Sequence, residues 1–98
     1  MTITKNQNGT SLEIAIEGRL DTMTAPELEA ELKSSLDGIE NLTLDFSALD
    51  YISSAGLRIL LATQKQMNRC GEMKITHANE SIMEIFEVTG FTDILTIE

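Results

Sequence analysis

The stretch "LDYISSAGLRILL" (Leu49–Leu61) joins an acidic, extended segment to an apolar helix through two serines and a glycine. Its two flanks decide the fold. Downstream, "SAGLRILLATQKQMNRC" (Ser54–Cys70) reads as a helix stopped by Gly71. Leu57, Leu60 and Leu61 lie on one flank and can pack on a sheet, while Ile59 points away and is expected as an exposed apolar contact beside Ser54. Gln64 interrupts the apolar stripe. Upstream, "NLTLDFSAL" (Asn41–Leu49) reads as a strand with Leu42, Leu44 and Phe46 on one face.

Working outward, "TITKNQNGTSLEIAIEG" holds Asn8-Gly9 between two extended segments, the signature of a tight β-hairpin. In its second strand Leu12, Ile14 and Ile16 alternate with Glu13, Ala15 and Glu17, so one face is buried and the other wet. "TAPELEAELKSSLDG" follows, with Thr24 as N-cap, Pro26 in the first turn and Glu27 completing a capping box. Leu28, Leu32 and Leu36 recur at helical spacing until Gly38. "EMKITHA" is a strand, "NESIMEIFEVTG" a helix capped by Asn79 and ended by Gly90, and "TDILTIE" a last short strand. The order β-β-α-β-α-β-α-β predicts one α/β domain over residues 1–98, its sheet mostly parallel after an antiparallel opening hairpin.

Composition narrows the function. Ninety-eight residues bury roughly two-thirds of the unfolded chain's surface, and with few aromatics and no tryptophan the core must be aliphatic. Seven basic against sixteen acidic residues give a net charge of −9, a field that repels nucleic acid and anionic membrane alike. Cys70 is the one cysteine, so no internal disulfide exists and a reduced compartment is expected. The polar start "MTITKNQNGT" and the lack of a long apolar run predict a cytoplasmic chain without a membrane span.

In parallel sheets functional groups gather where strands end, and Asp21, Asp45, Ser53 and Ser54 are all expected at that edge. A nucleophilic serine needs a positioned base, and His77, the only histidine, ends a different strand with no identifiable partner. Asp21 with Asp45 could hold Mg²⁺ for acyl-phosphate chemistry, but no lysine follows Lys74 to neutralise a phosphoryl group. Asp21 is otherwise a turn or capping carboxylate. "SSAG" has too few glycines for a nucleotide cradle. Neither catalytic residues, nor a cofactor, nor a metal site is expected.

Two readings of Ser54 remain open. As an N-cap it would contribute about 1 kcal/mol. As a modification site, a phosphate there would meet free amides and the positive end of the helix dipole, adding about 1.5 to 2 negative charges without disturbing the core. The charge pattern bears on this choice. Between Tyr51 and Gly71 there is no acidic residue, while Arg58, Lys65 and Arg69 fall in one stripe around Ala62. Such a stripe is either simply solvated or a docking face for an acidic partner.

"LDFSALDYISSAGLRILL", with "IEGRLDTMTAPELEAEL" upstream, resembles the STAS domain and, within it, the bacterial anti-sigma factor antagonists. The likeness runs from the opening hairpin to "GFTDILTIE". It implies a small sheet with helices packed mainly on one side. It also implies partner switching: the unphosphorylated antagonist binds an anti-sigma factor that is a serine kinase, and so frees a sigma factor for transcription. That kinase phosphorylates the antagonist, and a PP2C-type phosphatase restores it. The matching acceptor is Ser54, with Ser53 as second choice; Asp21, Ser53, Gly56, Leu57, Arg58 and Ile59 fall in the implied partner-binding region. Many family members carry Asp where this chain has Ser53, and Ser or Thr where it has Ala55. The domain also occurs as a constitutive scaffold in stress-signalling or transport assemblies, where Ser54 would be only a helix cap. A monomer is the expectation, with no direct contact to nucleic acid.

Overall fold

A computed structural model describes residues Met1–Glu98. β1 (Thr2–Asn8) and β2 (Ser11–Leu20) form the expected antiparallel hairpin. Asn8 pairs with Ser11 as the last rung, so the loop residues are Gly9 and Thr10, and only Gly9 takes a positive φ, of 65°. That is the pattern of a type II′ turn, with glycine in the first loop position. Along β2, Leu12, Ile14, Ile16 and Leu20 are buried while Glu13 and Glu17 are exposed.

β3 (Asn41–Asp45) runs parallel to the first half of β2, with Leu12 level with Leu42 and Ile14 with Leu44. The strand expected to reach Leu49 breaks here. Phe46 is fully buried, its N–H donates to Thr76 O at 2.9 Å, and its carbonyl accepts from Leu49 N at 3.0 Å. The resulting turn starts a separate strand, β4 (Leu49–Ile52), which lies parallel to the second half of β2 and brings Ile52 level with Leu20. β5 (Glu72–Thr76) pairs with β3 only. The sheet order is β1-β2-β3-β5, with β4 continuing beside β2.

Since β5 stops level with Asp45, α3 (Glu80–Thr89) takes the place beside β4. Asn79 joins the two: its Oδ1 accepts from Ile82 N at 2.9 Å as the N-cap, and its Nδ2 donates to Leu49 O at 3.0 Å. The expected final strand shrinks to a single bridge between Ile75 and Ile97. Phe91 stacks near Phe86, with ring centroids 6.5 Å apart, and Phe91–Asp93 wind into a 3-10 turn, leaving only the last residues to reach β5.

α1 (Ala25–Ser35) and α2 (Ser54–Cys70) complete the fold, α2 with the boundaries its sequence predicts. Leu28 and Leu32 from α1, Leu57, Leu60 and Met67 from α2, and Ile82 and Phe86 from α3 enclose one core with the apolar sheet face. Ile59 corrects the surface expectation. It is only 9% exposed, because α1 lies against that flank of α2. Gln64 is buried too, and its Nε2 donates to Asn68 Oδ1 at 2.9 Å.

Candidate functional site

The turn between β4 and α2 presents the two serines quite differently. Ser53 ends the β2–β4 ladder in extended conformation, donating its N–H to Leu20 O at 2.9 Å. It occupies the N-cap position, yet its side chain caps nothing; Oγ is shielded from solvent and has no hydrogen-bond partner. Ser54 is the first residue of α2, and its side chain is exposed. The reading of Ser54 as an N-cap is therefore corrected by one position.

The first backbone bond of α2 runs from Leu57 N to Ser53 O, at 2.9 Å. The amides of Ser54, Ala55 and Gly56 precede it and have no intrahelical acceptor, the usual state of a helix start. No acidic side chain occupies this first turn. Gly56 lets the helix lie close on the sheet. A Cβ there would stand 2.8 Å from both Ile52 Cγ1 and Leu20 Cγ. Gly56, Leu57 and Ile59, assigned above to partner contact, all point inward; they seat α2, while Ser54 and Arg58 face solvent.

Asp21 follows β2 and therefore sits beside this junction, one residue past the Leu20–Ile52 rung. Its Oδ1 accepts from Met23 N at 3.0 Å and Thr24 N at 3.2 Å. Thr24 makes no cap bond: its Oγ1 donates back to Arg19 O at 2.7 Å and accepts from Asp21 N at 2.9 Å. The capping box read from Thr24 and Glu27 is thus replaced by a turn that Asp21 closes. Partial burial works to raise the Asp21 pKa, but the amides of Thr24 and Met23, the Thr24 hydroxyl and the Arg19 charge together hold it below 3.8.

Asp45 does not share this edge. It is level with Ala15 in β2, six residues before Asp21, which is about 20 Å along a strand. The interposed β4 is the cause, and it separates the two carboxylates considered above for a metal ion. Asp45 instead meets His77, the partner the sequence did not identify, with Nδ1 3.3 Å from Oδ1. His77 takes a positive φ of 59°, an uncommon backbone state for a residue with a side chain. The Ser47 amide, at 2.9 Å, is the main cause that lowers the Asp45 pKa, opposed by desolvation and helped by the Ser47 hydroxyl and His77.

Both aspartates bind a proton less readily folded than unfolded. Their stabilisation is present above the unfolded value of 3.8 and is lost as pH falls through the lower folded values. Asp45→Asn should therefore lower the urea midpoint at about pH 6, by an amount that shrinks as the pH is taken below 3.8. A difference that persists undiminished in acid would contradict the assignment.

Three features of the junction escaped sequence reasoning. Met23, at the tip of the Asp21–Thr24 turn, is 87% exposed. Arg19 lies over the Tyr51 ring at 4.3 Å, a pairing that depends on the β2–β4 register. A groove of about 350 Å³ runs between α1 and α2 beside Ser54, lined by Thr22, Pro26, Glu29, Ala55, Arg58 and Ala62 among others. An apolar residue between Thr22 and Thr24 was the one visible signal.

A small mixed sheet with a helix start displayed beside a self-closed acidic turn defines the class as a single α/β domain. The comparisons give that class its family. The STAS domain model matches residues 2–98. BtrV of Bordetella bronchiseptica, described as an anti-sigma factor antagonist, is 35% identical over 99% of this chain and 85% of its own length. The solved anti-sigma factor antagonist from Mycobacterium paratuberculosis has a TM-score of 0.88 at 23% identity, over 98% of this chain and 83% of its own. The Bacillus protein SpoIIAA, solved in unphosphorylated and phosphorylated forms, gives TM-scores of 0.78 and 0.77 at 12% and 13% identity, over 99% of this chain and 87% and 91% of those structures. The chain belongs to the STAS domain family, among its anti-sigma factor antagonists, which are regulatory binding proteins and not enzymes. None of its helices is long and apolar enough to cross a membrane.

Proposed function

We propose that this single domain is a phosphorylation-switched anti-sigma factor antagonist acting in the cytoplasm. Unphosphorylated, it binds an anti-sigma factor with serine kinase activity; phosphorylation of Ser54 releases that partner, and a PP2C-type phosphatase resets the switch. The observation that carries the reading is the contrast between the serines. Ser54 is exposed at the free amides of α2, whereas Ser53 Oγ is shielded from solvent. SpoIIAA, of the same fold, has been solved with and without phosphate, which supports such a switch here. Arg58, one turn along α2 from Ser54, and the exposed Asp21–Thr24 turn beside the junction with Met23 at its tip would form the contact surface.

Peptide mass spectrometry of the protein from its native cells tests the acceptor, with phosphate expected on Ser54 and none on Ser53. Purified Ser54→Asp should bind the anti-sigma factor kinase at least about tenfold more weakly than wild type. Ser54→Ala should bind normally and stay within about 0.5 kcal/mol of wild-type stability, since no cap bond is lost. Tight binding by Ser54→Asp, with no phosphate in cells, would leave the constitutive scaffold as the function.

A further inference from the structure

The chain has seven basic residues, and the structure sorts them into two groups. Lys5 pairs with Glu31 at 2.8 Å, Arg19 with Asp21 at 3.6 Å, Lys33 with Glu29 at 3.6 Å and Lys74 with Glu98 at 3.2 Å. The remaining three, Arg58, Lys65 and Arg69, form no ion pair despite sixteen acidic side chains in the molecule. All three are exposed and all lie on α2, with no acidic residue anywhere in that helix. Successive 100° steps place them within one stripe, about 16 Å long. Across the groove from Arg58, Glu29 of α1 is paired with its own Lys33.

We propose that this face of α2 docks an acidic segment of a partner protein, with Arg58, Lys65 and Arg69 as its three contacts. The proposal deepens the reading of the domain as a partner-binding module and rests on it. A domain with net charge −9 repels an acidic partner over most of its surface, so an unpaired cationic stripe fixes both the place and the orientation of approach. It also gives the Ser54 phosphate a local target. Ser54 and Arg58 are four residues apart, neighbours on one helix face. A phosphate there neutralises the first contact of the stripe and repels the carboxylates that would have met it.

The test titrates a glutamate-rich peptide into isotope-labelled, unphosphorylated protein and follows the amide signals. Shifts should cluster on Ser54–Cys70 and weaken as salt is raised. The triple variant Arg58→Gln, Lys65→Gln, Arg69→Gln should bind the peptide about tenfold more weakly. The control Lys5→Gln, Lys33→Gln, Lys74→Gln makes the same change in net charge and should bind nearly as wild type. Equal losses in both triples, or shifts away from α2, overturn the proposal. So does displacement of the peptide by phosphatidylglycerol vesicles or a single-stranded oligonucleotide at lower concentration. Because the protein is unphosphorylated, the switch is judged separately. Binding on α2 with no phosphate in cells keeps this surface and removes the switch; phosphate on Ser54 with no binding on α2 does the reverse.

Discussion

Gly71→Ala should destabilise the protein by about 3 kcal/mol or more. An alanine Cβ at that position would run into Glu40 O and lie 2.6 Å from the carbonyl carbon behind it. Both obstacles are backbone, so no side chain can swing aside. That same Glu40 oxygen accepts the Glu72 N–H at 2.8 Å, the bond with which β5 begins, so moving it away breaks the strand's entry. Gly71 has a φ of 167°, outside the left-handed region. It is demanded by room. Domains of this size are stable by only about 5–15 kcal/mol, and the loss should be plain in a urea titration. A midpoint equal to wild type would show that the two chain segments do not come this close.

Phe46→Ala should cost about 3–5 kcal/mol, the range for emptying a fully buried aromatic site. Its position makes the loss functional as well. Phe46 turns the chain from β3 into β4 and so decides where α2 starts. Destabilisation here should loosen the β4–α2 junction before the hairpin, which hydrogen exchange would resolve as early opening near Ile52–Leu57. Phe46→Leu keeps most of the volume and should recover much of the stability. Uniform opening of the whole sheet would contradict this account of the turn.

Several elements were legible in the sequence because local chemistry agreed with tertiary packing. The hairpin, α2 with both its ends, and α3 between Asn79 and Gly90 are all of this kind. β4 was not legible. "FSA" contains no glycine, proline or asparagine, and the turn is enforced by the burial of Phe46 and its bond to Thr76. Missing that turn also placed Asp45 beside Asp21. Ile59 was misread because helical periodicity shows which flanks exist, not that α1 covers the second one. At the candidate site, the position of the two serines between strand and helix was legible, but not which hydroxyl is shielded, since adjacent serines differ only by whether the chain is still in the ladder or already in the helix. Thr24 lost its expected role because its hydroxyl is turned back to Arg19 O and the Asp21 amide.

The Asp21 carboxylate is committed to its own turn, and Ser54 lies on the other side of the junction with no cap bond to give up. No hydrogen bond joins them that a modification would have to break. Under the proposed switch, such a domain would work as a label and not as a lever. Its state would be written in charge at a fixed address and read by whatever surface tries to fit. Acquiring a new reader would then require changes in the reader alone, with no mechanical linkage to rebuild in this chain.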